Sequence, residues 1–201
     1  MNITTRGQLR ALYAEPTERA RRKQLSALDR HCKAFIALSP FVVLATADAS
    51  GRVDATPRGG APGFVVVQGD HTLLMGDAPG NNRLDALQNL LDNPQAGLLF
   101  MIPGVDETLR VNGCVALSTA AADLAVCSDA HRVPKVVLRM TVQEAFLHCA
   151  KAFMRSKLWH EEARVVRERL PSMGPMLHEQ IGLDRPPESQ QEMLLRYQKD
   201  L

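Results

Sequence analysis

The sequence predicts a mainly β protein with flanking helices, its strands forming a closed or nearly closed antiparallel barrel. Three observations lead there. Between residues 41 and 142, short runs rich in Val, Leu and Ala alternate with turn residues. The gaps between these runs are too short for parallel crossovers, except across one helical stretch after Arg83. Over 1–40 and 143–201 apolar residues recur at helical spacing instead, so the 201 residues read as one domain whose helices cover a 41–142 barrel.

Taken in order, residues 5–13 read as a short helix or arm. Pro16-Thr17 opens a longer helix with Leu25, Leu28, Cys32, Phe35 and Ile36 on one face, ending near Ser39-Pro40. Residues 41–47 form a strand, turned by Asp48-Ala-Ser-Gly51 into a partner over 53–57, and 58–63 is an irregular break. Residues 64–67 and 72–75 make a second hairpin. Leu84, Leu87, Leu90 and Leu91 mark the inserted helix, stopped by Asn93-Pro94. Strands follow at 96–102 and 108–117, a short Ala-rich helix at 120–130 and a last strand at 136–142. From Gln143 the chain reads as helical, with Phe146, Ala150, Phe153 and Met154 on one face and further helices over 158–170 and 188–201.

Composition removes several functions. A net charge of +2 and a pI near 8.4 are too weak a bias for nucleic acid, and the basic run 19–23 reads as a solvated helix face. The four cysteines are widely spaced, without the paired spacing of a zinc site or a disulfide framework. No window approaches the roughly 18 apolar residues of a membrane helix, and no leader pattern opens the sequence, so a cytoplasmic protein is expected. There is no G-x-S-x-G, no H-E-x-x-H and no Walker loop, and His160-Glu161 and His178-Glu179 each lack the second histidine zinc needs.

One stretch suits an anion. Asp77-Ala-Pro-Gly-Asn-Asn-Arg83 leads from a strand into the inserted helix, whose first N–H groups and positive dipole end would sit beside Arg83. An ordinary Asn-capped helix explains the same residues.

Four motifs taken together resemble the pyridoxamine 5'-phosphate oxidase-like flavoproteins. They are the hairpin 45–60 ending Pro57-Arg-Gly-Gly60, the stretch Pro79-Gly-Asn-Asn-Arg-Leu-Asp85 running on to Phe100, the segment 103–113, and the segment 144–159. The resemblance spans about 41–160 and implies an antiparallel split β-barrel of the FMN-binding type, with FMN held between the subunits of a homodimer. It implies that Asn82 and Arg83 take the phosphate while Asn81 and Asp77 shape the turn. Thr56, Pro57, Arg58 and Gly59 would run along the flavin, with Thr108 and Arg110 near the ring. Lys151, Arg155, Ser156 and Trp159 would come from the partner chain. Residue spacing agrees in part: Lys151 and Arg155 share a helix face, and the lone Trp159 could stack on a flat ring or pack in a core. Leu84 stands where the oxidases place a lysine after the phosphate arginine, and the chain has no Arg-x-His and no Arg-Leu-x-Pro end. Pyridoxamine phosphate is therefore not the expected substrate.

The expected function is an FMN-dependent oxidoreductase acting with a small-molecule substrate or electron donor that the sequence does not identify. In such enzymes the flavin carries the chemistry and the protein orients it, and Arg58 or Arg110 would face the charge of the reduced ring. No side chain stands out as an acid–base catalyst. The alternative is a flavin-, deazaflavin- or haem-binding protein without FMN turnover, with His148 or His131 as iron ligand.

Overall fold

The computed structural model describes residues 2–130, 132–182, 184 and 186–198. The chain divides into two compact units, residues 1–155 and 156–201. Each is described by itself.

The first unit holds one seven-stranded antiparallel sheet, in the order β2-β1-β5-β6-β7-β4-β3. The strands are β1 (Phe41–Ala47), β2 (Val53–Gly59), β3 (Val65–Gln68), β4 (Thr72–Gly76), β5 (Gln95–Ile102), β6 (Val105–Ser118) and β7 (Val137–His148). The helices are α1 (Arg6–Arg10), α2 (Glu18–Arg22), α3 (Arg30–Leu38), α4 (Asp85–Asp92), α5 (Ala121–Val126) and α6 (Lys151–Ser156, whose last residue belongs to the second unit). Strands β2 and β3 end the order without pairing to each other. This is the split barrel that the motifs imply. Its interior is filled from alternate strand positions: Val42, Leu44, Leu73, Leu98, Phe100, Leu109, Val111 and Ala145 are buried. Cys32 and Ile36 of α3, with Ala86, Leu87 and Leu90 of α4, belong to the same core.

Long-range pairing redraws three stretches. The single helix expected from Pro16 is two helices, α2 and α3. Leu25 exchanges both backbone hydrogen bonds with Ala145 of β7 at 2.9 Å, which breaks the helix, and the Asp29 carboxylate restarts it by accepting from the N–H groups of His31 and Cys32. The 143–148 stretch, expected as the start of the C-terminal helices, continues β7 because β6 offers partners as far as Thr108, opposite His148. Phe146 is therefore a strand residue. The register of that long ladder shifts between Asn112 and Gly113, where Gln143 of β7 is left as the extra residue; a Cβ on Gly113 would collide with the Thr141 carbonyl oxygen, so only glycine fits. Arg58 and Gly59, expected in a loop, extend β2 by pairing with Val42 and Phe41.

In the second unit the helix expected over 158–170 is absent; only two short 3₁₀ turns occur, Glu161–Ala163 and Arg167–Arg169. Leu158, Val165, Val166 and Leu170 are all exposed, so no buried face supports a helix there. Helix α7 (Met173–Ile181), which the spacing did not suggest, and α8 (Gln190–Tyr197) follow. Ser189 and Glu192 close a capping box at the start of α8.

Candidate functional site

Strand β2 is an edge strand, and its alternation places Asp54, Thr56 and Arg58 on one face, each half-buried. The β4–α4 loop faces this row. Arg58 Nη1 lies 3.2 Å from Asp77 Oδ1, with side chains 22% and 20% exposed. The Arg58 Nε is buried with no hydrogen-bond partner. Asp77 is itself anchored, its N–H donating to the Val136 carbonyl at 2.8 Å. The pair links edge strand β2 to the residue after β4, and these two strands share no ladder.

Further along the loop, Asn81 Oδ1 accepts from the Arg83 N–H at 3.0 Å, and Arg83 Nε donates to Asp85 Oδ2 at 2.7 Å. Arg83 is 71% exposed and Asp85 48%. The Arg83 guanidinium is held above its ordinary pKa, first by the hydrogen bond and charge of Asp85 and further by the charge of Asp54. The loop is conformationally costly: Asn82 and Leu84 have φ of +59° and +61°. Helix α4 starts at Asp85, two residues after Arg83, with Leu84 as an N-cap that makes no side-chain bond. The expectation of a helix opening at the two asparagines is thereby corrected. They shape the turn before it.

The remaining predicted residues fall into separate groups. Pro57 and Gly59 are exposed on β2. Thr108 is only 5% exposed. Arg110 is exposed on β6, its guanidinium 5.4 Å from the centroid of Phe146. Lys151 and Arg155 are exposed near the two ends of α6; Ser156 is exposed and Trp159 half-buried in the second unit. His148 stacks on Phe146 at 5.0 Å, and its Nε2 is sealed from solvent without a partner. Its pKa is lowered by burial first, then by the charges of Arg110 and Lys23. His131 lies outside the described residues. No group of three or more His, Cys, Asp or Glu able to hold a metal occurs among the described residues, and none of their helices is long and apolar enough to cross a membrane.

Sequence reasoning gave no role to the polar surface on the outer face of β1, β5, β6 and β7. An open cleft of about 450 Å³ there is lined by Thr46, Gln95, Gly97, Asn112, Gln143 and Glu144, among others, and by none of the predicted residues. Glu144 accepts from the amides of Asn112 and Gln24. Asp54 and Asp85 were not expected as site residues either, and only the place of Asp85 within the 79–85 motif pointed to it.

The pyridoxamine 5'-phosphate oxidase family model matches residues 28–149, more than half of the chain. The chain belongs to the pyridoxamine 5'-phosphate oxidase family. No curated protein matches it. Among solved structures, a variant of HupZ from Group A Streptococcus is similar at 19% identity and a TM-score of 0.50, over 60% of this chain and 98% of that one. A candidate pyridoxamine 5'-phosphate oxidase from Lactobacillus delbrueckii shows 19% identity and a TM-score of 0.49, over 62% and 98%. HutZ, described as the haem storage protein of Vibrio cholerae, shows 15% identity and a TM-score of 0.43, over 60% and 93%. At these identities the likeness is one of fold. The family match, in contrast, covers both β2 and the β4–α4 loop, which carry the Arg58–Asp77 and Arg83–Asp85 pairs.

Proposed function

We propose that the chain is an FMN-dependent oxidoreductase of its family that works as a cytoplasmic homodimer on a small molecule other than pyridoxamine phosphate. One observation carries the reading. The edge of the open barrel brings two arginines, Arg58 and Arg83, to one loop, and Arg83 reaches into solvent. A guanidinium fork matches phosphate oxygens better than an ammonium does. The cofactor fits these residues at its phosphate end. Arg83, with the turn set by Asn81 and Asn82, would hold the phosphate, and the edge-strand backbone of Thr56, Pro57, Arg58 and Gly59 would run beside the ring. When bound, the flavin supplies the hydride-accepting chemistry. The protein's part is to orient it and to present positive charge from Arg58 and Arg110. Thr108, buried in one chain, contributes by packing. Lys151, Arg155, Ser156 and Trp159 remain the residues assigned to a second copy.

The outer sheet face supports a two-copy reading. The cross-strand pair Val43 and Leu99 stands half-buried one row from Ala45 and Gly97, which border the open cleft. A two-fold contact pairs one surface patch with its own copy, and this face offers an apolar pair beside the cleft. For a haem reading, the sealed Nε2 of His148 would first have to be exposed.

The test is the visible spectrum of the purified protein with an FMN titration. Flavin bands at one FMN per chain are expected, with Arg83→Ala weakening affinity roughly ten- to hundredfold, the range for a charge-assisted hydrogen bond. Wild-type affinity in that variant would refute the phosphate assignment, and a Soret band would replace flavin with haem.

A further inference from the structure

Arg83 of the proposed phosphate site and Arg58 beside it each already face a carboxylate, and the two pairs differ in kind. Arg58–Asp77 is drawn from two ordered elements, is only about one-fifth exposed on either side, and contains a buried guanidinium nitrogen with no partner of its own. Removing Asp77 would leave a half-buried cation without its counter-charge, and its side chain would have to move. Arg83–Asp85 lies on an exposed turn whose backbone is already in unfavourable conformations at Asn82 and Leu84. Exposed pairs of this sort hold weakly and exchange partners at small cost. Arg83 gives Asp85 one nitrogen, its Nε, in the geometry a phosphate oxygen would use.

We propose that Asp85 stands in for the phosphate on Arg83 until the ligand displaces it, whereas Asp77 is a positioning residue that keeps Arg58 in place with ligand present or absent. The inference rests on the phosphate reading given above. It has an unusual consequence. Asp77→Asn and Asp85→Asn each remove one negative charge beside the same bound anion. Simple repulsion makes both tighten binding. With a stand-in and a positioning residue the two effects have opposite signs.

The experiment is FMN titration, with inorganic phosphate as competitor, of the full chain and of Asp85→Asn, Asp77→Asn, Asp77→Glu and Arg83→Ala, at one fixed ionic strength. Asp85→Asn should bind FMN and phosphate about two- to fivefold more tightly, the scale of an exposed ion pair. Asp77→Asn should bind about fivefold or more weakly, and Asp77→Glu should recover part of that loss. Asp85→Asn is a surface change that leaves the fold intact. Unchanged or weaker binding there overturns the stand-in, and tighter binding in Asp77→Asn overturns the positioning role. If Arg83→Ala matches the wild type, the phosphate reading itself fails, and the stand-in falls with it.

Discussion

Two connections of this barrel use nearly the same residue types to different ends. The β1–β2 turn closes on itself. Asp48 accepts from the N–H and Oγ of Ser50 and from the N–H and Nε of Arg52, and Gly51 supplies the left-handed residue at φ +84°. The β4–α4 loop also contains Asp, Asn, Gly and Arg, yet Asp77 directs its charge to a distant strand and the left-handed positions fall on Asn82 and Leu84. In the first case every polar group serves the turn. In the second, the backbone is unfavourable at Asn82 and Leu84 while Asp77 serves a partner on another strand, the pattern of a segment shaped for a ligand.

The largest effect expected is on the frame both connections share. Phe100 is fully buried, and Phe100→Ala should lower the free energy of unfolding by about 3–5 kcal/mol in denaturant titration. A much smaller loss would mean the barrel does not support the two connections as described. Next comes Gly51→Ala, where open space surrounds the new methyl and only the left-handed backbone resists. A loss of about 1–2 kcal/mol is expected. Leu84→Gly sharpens the contrast, because relief of strain offsets the extra freedom of the unfolded chain. Its change should stay under about 1 kcal/mol and be stabilising. A loss as large as that of Gly51→Ala would erase the distinction. The smallest effect is on acid sensitivity. Hydrogen bonds from Ser50 and Arg52 hold the Asp48 carboxyl well below its ordinary range. A depressed folded pKa stabilises the protein above the unfolded value, near 4, and that stabilisation disappears as the pH falls through the folded one. Asp48→Asn should therefore flatten the fall in urea midpoint between about pH 4 and pH 2.

Much of the site could be read from residues 77–85 because turn chemistry is local: Pro79, Gly80 and two asparagines announce a turn wherever it stands. What such spacing misses is the start of α4, since nothing in Asn-Asn-Arg-Leu says that Leu84, an unfavourable residue for φ above zero, takes the cap. The outer cleft escaped for another reason. Thr46, Gly97, Asn112 and Glu144 come from four separate strands, and only the sheet order gathers them.

The sequence by itself determined the strand-forming runs, the turns between them, the apolar faces of α3 and α4, and membership of the family, because each depends on spacing within a few residues or on short motifs. Tertiary structure decided where the elements stop and what they meet. Leu25 pairs with Ala145 where a helix was expected, β7 runs on to His148 because β6 is there to receive it, and Arg58 meets Asp77 because the loop after β4 reaches β2. Hydrogen-bonding partners from distant segments outweigh the fractions of a kcal/mol by which one residue prefers helix to strand, and only the assembled sheet supplies those partners.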